Sequence, residues 1–164
     1  GLCSAGIEST VLSLCGERPV ILRPGSVTRE VIEAALDEAV GSHGVDAIHG
    51  VPLPSPGLLH SHYAPATRVL LWSEGEELPN LPYILVSITS RSVPSSSCAA
   101  QLPLSSDGDL EAVARNLFFT LRQADTYQPS FIVIERCDPS GIGEAILDRL
   151  TRAAAPRANR SEER

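Results

Sequence analysis

Several features that mark other protein classes are missing from this 164-residue chain. No apolar run approaches the roughly 20 residues that span a bilayer, so no membrane helix is predicted. The opening residues, GLCSAGIEST, hold no basic stretch leading into an apolar one, and no signal peptide is predicted either. Methionine is absent throughout, even at the first position, which predicts a truncated chain. Aromatic residues make up only 4%, so the core must consist mainly of Leu, Val, Ile and Ala.

A strongly basic surface is missing as well. The formal net charge is -7, which argues against a large nucleic-acid-binding face, because phosphate binding relies on clustered Lys and Arg. The four cysteines are widely spaced and form no C-x-x-C pair, so no zinc knuckle or thioredoxin-type motif is predicted. Reduced thiols are favoured over a disulfide framework, which indicates the cytosol or an organelle matrix.

The composition, 43% hydrophobic and 20% charged, is typical of a soluble globular protein. In the first segment, residues 1–42, alternating and short apolar runs predict strands at Thr10–Leu14 and Pro19–Leu22. Thr28 is a candidate N-cap, and apolar residues at helical spacing predict a helix that continues to about Val40. This segment therefore reads as strand, strand and helix.

Residues 43–66 differ in kind, because neither a strand period nor a helix period survives there. These residues include all four histidines and four of the thirteen prolines of the chain. A connection this long is either disordered or functional. Its sequence SPGLLHSHYAP, at Ser55–Pro65, lacks the Glu, Lys and Ser mixture typical of disorder. An ordered linker is therefore predicted.

Residues 67–155 alternate between strand and helix patterns. Predicted strands are Arg68–Trp72, Tyr83–Ile88, a possible short one at Cys98–Leu102, and Phe131–Glu135. Predicted helices are one capped by Asp107 or Asp109, with an apolar stripe from Leu110 to Ala124, and one at Gly141–Ala154. The near-continuous apolar strands are typical of a sheet covered on both faces. The pattern predicts a small three-layer α/β domain with a mostly parallel sheet, followed by a disordered tail at 156–164.

Two motifs near the N-terminus could bind an anionic ligand. In G-I-E-S-T, at Gly6–Thr10, adjacent hydroxyls could bind a carboxylate or phosphate, or could simply satisfy the backbone of a turn. In V-I-L-R-P-G, Arg23 leaves a strand just before a Pro-Gly turn, where its guanidinium could bind phosphate or carboxylate. In that turn proline fixes φ, and Gly25 is free to adopt a positive φ. An exposed arginine at a strand end is the plainer alternative for Arg23.

Two further motifs are equally open on their own. Between the turns of SPGLLHSHYAP, His62 could titrate near neutral pH and Tyr63 could stack on a base, or the segment could be a plain connector. A metal site is a weaker idea, since H-x-H has no further ligand at a recognisable spacing. P-S-G-I-G, at Pro139–Gly143, could hold an anion at a helix N-terminus or form a structural glycine turn. The dinucleotide-binding fingerprint fails, because Ile146 stands at the third glycine position.

The order of these motifs carries more information than any of them alone. G-I-E-S-T-V, V-I-L-R-P-G-S-V, S-P-G-x-x-x-x-H-Y-A-P and G-I-G-E-A-I-L-D-R-L-T-R-A-A together resemble the two-domain threonylcarbamoyl-AMP synthases. The resemblance runs from Gly6 to Ala154. It implies a C-terminal fragment of a YrdC-like α/β catalytic domain at 1–42, a linker at 43–66 and a Rossmann-like C-terminal domain at 67–155.

The resemblance also implies a reaction in which threonine, bicarbonate and ATP, with Mg²⁺, give threonylcarbamoyl-AMP and pyrophosphate. The product serves the cytoplasmic machinery that forms threonylcarbamoyladenosine in tRNA. By the family's motifs, Ser9 and Thr10 would contact threonine, Arg23 the nucleotide, and Tyr63 and His62 would cover the nucleotide from the linker. No residue of this chain is assigned a catalytic role or a metal.

Two departures from the family pattern concern the details of closure. Ser13 stands where the family usually has Asp, and Leu58–Ser61 replaces a stretch that usually carries a basic and an aromatic residue. The family's basic ATP-binding motifs should precede Gly1, so this chain is expected to be inactive alone. The alternative interpretation is a non-catalytic nucleotide-binding regulatory or interaction module.

Overall fold

The computed structural model describes residues 6–42, 65–91 and 95–155, and these form two sheets. The first sheet has the order β1-β2-β3, in which β1 and β2 are antiparallel and β2 and β3 are parallel. Its elements are β1 (Val11–Ser13), β2 (Val20–Arg23), α1 (Arg29–Leu36) and β3 (Gly41–Ser42). The two predicted strands and the helix of this segment are therefore confirmed.

The second sheet has four strands, all parallel, in the order β4-β7-β5-β6. Its elements are β4 (Val69–Trp72), β5 (Tyr83–Ser87), β6 (Cys98–Pro103), α2 (Leu110–Thr126), β7 (Phe131–Glu135) and α3 (Ile142–Ala154). The predicted α/β class with a mostly parallel sheet is confirmed. Asp109 is the N-cap of α2, and its carboxylate accepts hydrogen bonds from the Glu111 and Ala112 N–H groups at 3.1 Å each.

The predicted end of the first helix was wrong. α1 ends at Leu36, because Asp37 adopts the left-handed conformation with φ 54°. The Val40 N–H donates to the Glu33 carboxylate at 2.9 Å, and the Gly41 N–H donates to the Pro19 carbonyl at the same distance. These bonds turn the chain into β3 instead of continuing the helix. A strand of two residues is too short to show a period in the sequence.

The two faces of the parallel sheet are covered in different ways. On one face, α2 and α3 pack on the inward residues of the strands, among them Ile84, Ile132 and Ile134, which are fully buried. On the other face, Leu78 from the β4–β5 crossover packs on a smaller cluster that includes Trp72, and the Arg91 guanidinium lies 5.5 Å from the centre of a Trp72 ring. Among the described residues, no helix contributes a hydrophobic side chain to this smaller cluster.

Residues 6–42 are docked on the helical face of this domain. Ile7 is 1% exposed and belongs to the same core cluster as α2 and α3. Gly6 lies so close to α2 that a Cβ there would fall 2.3 Å from the Arg115 Cα. The N-terminal segment thus shares the core of the C-terminal domain. No helix among the described residues is both long and apolar enough to cross a membrane.

Candidate functional site

The first two motifs meet at the start of the β1–β2 pair. The Arg23 Nε and Nη2 both donate to the Ser9 carbonyl oxygen, at 3.3 and 3.0 Å. The Thr10 hydroxyl donates to the Val27 carbonyl at 2.6 Å. The antiparallel register pairs Val11 with Arg23, and a bulge follows immediately. The structure therefore brings Ser9, Thr10 and Arg23 together.

Gly25 permits this close approach. It is buried, and a Cβ at this position would lie 2.3 Å from the Thr10 N, 2.4 Å from the Glu8 carbonyl oxygen and 2.5 Å from the Ser9 carbonyl carbon. Gly25 does not use its freedom to adopt a positive φ, since it is not among the described glycines with a left-handed φ. Glycine is required here because any side chain would collide with backbone atoms that cannot rotate away.

The chemistry of this cluster suits an anionic ligand. Ser9 is exposed, whereas Arg23 is half-buried and held against the Ser9 carbonyl. A hydroxyl and a guanidinium at one end of a strand pair can donate to a carboxylate or a phosphate. The Thr10 hydroxyl hydrogen is already used within the chain. The cluster is thus preorganised by its own backbone contacts.

The two linker residues of the predicted site, His62 and Tyr63, lie outside the described residues, as does the 156–164 tail. The C-terminal end of the linker is described. The N–H groups of Ala66 and Thr67 donate to the two carboxylate oxygens of Asp125, at 2.7 and 2.8 Å. The last turn of α2 therefore fixes the point at which the linker enters the C-terminal domain.

The turn of P-S-G-I-G, before α3, is filled by the chain itself. The Gly141 N–H donates to the Glu30 carboxylate at 3.2 Å, so a side chain from α1 lies where an anion would bind. The pKa of Glu30 is lowered, first by its hydrogen bond with the Thr28 side chain and then by backbone N–H donors, including that of Gly141. A Cβ on Gly143 would lie 1.8 Å from the Asp138 carbonyl oxygen. These contacts favour the structural glycine turn.

Two arginines that sequence reasoning missed join the N-terminal segment to α3. Arg149, only 5% exposed, donates to the Glu8 carboxylate at 2.9 Å and to the Pro24 carbonyl at 3.2 Å. Arg29 binds the Glu144 carboxylate and the Val40 carbonyl. Arg149 and Glu8 are 141 residues apart in the sequence, and no local pattern could have paired them.

The described residues contain no group of three or more His, Cys, Asp or Glu side chains arranged to hold a metal ion. The ionisable groups around Ser9 and Arg23 are instead arginines and glutamates in direct contact with one another or with backbone carbonyls. The described cluster therefore offers polar donors and a positive charge to a ligand.

Comparison with known proteins gives a consistent result. The family model "Threonylcarbamoyl-AMP synthase, C-terminal domain" matches residues 27–155. The threonylcarbamoyl-AMP synthase of Bacillus subtilis is 34% identical over 176 residues, covering 98% of this chain and 49% of the relative. That of Pyrococcus abyssi is 29% identical over 164 residues, covering 93% of this chain and 47% of the relative. The chain thus spans about half the length of the curated relatives it matches.

Two solved structures of Pyrococcus abyssi Sua5 have the same fold. One is a variant with a His and the following Tyr replaced by alanine; its TM-score is 0.68 at 26% identity, covering 92% of this chain and 46% of that chain. The other is a complex with L-threonine, with a TM-score of 0.68 at 27% identity, covering 90% of this chain and 46% of that chain. The similarity extends over both sheets.

Proposed function

The chain belongs to the threonylcarbamoyl-AMP synthase C-terminal domain family, and from this premise we propose that it is the C-terminal part of an L-threonylcarbamoyladenylate synthase. The proposed reaction joins threonine, bicarbonate and ATP to give threonylcarbamoyl-AMP, pyrophosphate and water. The observation that carries the proposal is the contact between Arg23 and Ser9 at one end of the β1–β2 pair. It joins two motifs that are separate in the sequence into one donor cluster.

Each residue of the cluster has a proposed role. The exposed Ser9 hydroxyl donates to the threonine substrate, with Thr10 shaping the same pocket through its bond to Val27. Arg23 offsets negative charge at the nucleotide through the positive charge of its guanidinium, which is retained while its Nε and Nη2 donate to the Ser9 carbonyl. Its contact with the Ser9 carbonyl keeps the threonine subsite and the nucleotide subsite adjacent.

The linker is proposed to act as a lid. Tyr63, with His62 beside it, would cover the nucleotide. The product is a mixed carboxylic–phosphoric anhydride, which water hydrolyses readily, so a lid that excludes water protects it. Support comes from the anchoring of the linker's end on Asp125. The adjacent His62–Tyr63 pair also has the residue types that were replaced together in the archaeal variant.

The longer protein is proposed to supply the rest of the catalytic domain. α1 has no buried residue among those described, although Val31 and Leu36 on it are apolar and exposed by 58% and 39%. Val27, just before this helix, is 48% exposed. An amphipathic helix normally buries its apolar side, so a further part of the same domain would cover it. The chain alone is therefore expected to be inactive.

The proposed partners follow from the reaction. ATP enters with Mg²⁺, which binds phosphate oxygens and keeps several waters, so this chain need not provide a metal cage of its own. L-Threonine and bicarbonate are the other substrates. The product would pass to the cytoplasmic machinery that completes threonylcarbamoyladenosine in tRNA.

Pyrophosphate release by the full-length protein tests the proposal. Release is expected only when threonine, bicarbonate and ATP are all present, and Arg23→Ala and Tyr63→Phe should both reduce it. The 164-residue chain assayed in parallel should release none. Full turnover in both variants, with nucleotide bound tightly by this chain alone, would instead favour a nucleotide-binding regulatory module.

A further inference from the structure

Arg149 connects the C-terminal domain to both halves of the proposed substrate site. It lies in α3, within the region that matches the C-terminal domain family, and its side chain is 5% exposed. Its Nε donates to the Glu8 carboxylate at 2.9 Å, and its Nη2 donates to the Pro24 carbonyl at 3.2 Å. Its Nη1 binds Asp148, the preceding residue.

The two acceptors in the N-terminal segment are the immediate neighbours of the site residues. Glu8 precedes Ser9, and Pro24 follows Arg23. Arg23 in turn donates to the Ser9 carbonyl. One guanidinium therefore contacts both segments of the site, each at the residue next to Ser9 or Arg23.

The burial of Arg149 makes this attachment specific. A buried guanidinium is costly unless its donors are matched by acceptors at hydrogen-bond distance. The planar fork of arginine fixes the direction of each acceptor, which the point charge of a lysine ammonium cannot do. The side chain can keep its partners only while Glu8 and Pro24 stay in their present positions.

We propose that Arg149 is a positioning residue through which the C-terminal domain sets the separation and orientation of Ser9 and Arg23. The inference rests on the proposed function and deepens it, because it gives α3 an indirect part in threonine binding. Arg149 itself touches no substrate. Its effect passes through the Glu8 carboxylate and the Pro24 carbonyl.

Steady-state kinetics of the full-length protein test this inference. Arg149→Met keeps much of the aliphatic volume but removes all the donors, so the KM for threonine should rise roughly tenfold or more, since a displacement of about 1 Å can cost about 100-fold. Arg149→Lys should recover only part of the loss. Glu8→Ala should raise the same KM. The double variant with Arg149→Met should have a KM no higher than that of Arg149→Met alone, because Arg149→Met has already removed the interaction with Glu8.

Two control variants distinguish a positioning role of Arg149 from a general role in holding the N-terminal segment on α3. Arg29→Gln removes another ion pair between the same segment and α3, with Glu144, without touching Glu8 or Pro24. Arg136→Gln removes an exposed pair with Glu76, which does not involve the N-terminal segment. Both should leave the KM for threonine unchanged, although Arg29→Gln should lower the urea midpoint of unfolding.

An unchanged threonine KM in folded Arg149→Met, or an equal rise in Arg29→Gln, would overturn the inference. Should Arg149→Met fail to fold, Glu8→Ala decides, because Glu8 is 32% exposed and its truncation leaves no large cavity. An unchanged KM in that variant would likewise overturn it. If the wild-type protein released no pyrophosphate with threonine, the proposed function would fail, and the inference with it.

Discussion

Replacing Gly25 by alanine should damage the proposed site with little change elsewhere. The added Cβ would lie 2.3–2.5 Å from three backbone atoms of Glu8, Ser9 and Thr10, whereas ordinary contacts are at 3.4–4 Å. The two segments would have to separate by about 1 Å. Backbone atoms cannot rotate away, so the overpacking cost should fall near the upper end of the usual range of about 1–3 kcal/mol.

The same displacement should weaken the contact between Arg23 and the Ser9 carbonyl, now 3.0 Å long. A misplacement of about 1 Å in a substrate-positioning group can reduce turnover roughly 100-fold. We therefore expect Gly25→Ala in the full-length protein to lower kcat/KM for threonine by about that factor. The assay is pyrophosphate release, with urea unfolding measured on the same samples.

Gly75→Ala is the matched control. Gly75 has φ +91°, and a Cβ there would meet nothing within 4 Å, so alanine adds backbone strain without a collision. That strain should cost about 1–2 kcal/mol, somewhat less than the cost of Gly25→Ala, but leave turnover per folded molecule intact. Equal turnover in the two folded variants would refute the argument that Gly25 holds the site together.

Two further predictions concern the C-terminal domain. Asp109→Ala should lower the free energy of unfolding by about 1 kcal/mol, because the N–H groups of Glu111 and Ala112 lose their capping acceptor; urea titration measures this, and no change in the midpoint would contradict it. Burial raises the pKa of Cys137 from its ordinary 9.0 to about 11, so iodoacetamide near pH 8 should alkylate the exposed Cys15 far faster, as followed by mass spectrometry. Equal alkylation rates of the two cysteines would contradict this assignment. The folded state keeps the Cys137 proton to a higher pH than the unfolded chain does. The contribution of Cys137 to the free energy of unfolding is therefore complete below pH 9 and is lost as the pH rises through about 11.

The sequence alone determined the elements of the parallel sheet and the order of the motifs. Phe131–Glu135 was predicted with its observed bounds, because a short apolar run that ends in Glu135 and lies between turn signals favours a strand. Asp109 was one of two predicted caps and is the one that binds the N–H groups of α2. Such features depend on neighbours within a few residues, and the sequence displays those directly.

Only the tertiary structure decided what joins the motifs into a site. The β3 strand forms because the Gly41 N–H donates to the Pro19 carbonyl, which lies far from it in the sequence. Arg149 looked like one charged residue of an amphipathic helix, yet it is buried against Glu8 and Pro24, more than a hundred residues away. The local sequence pattern indicates which residues prefer to be buried or helical. A buried charge, or a glycine where two backbone segments meet, depends instead on a partner that is distant in the sequence and that only the fold brings close.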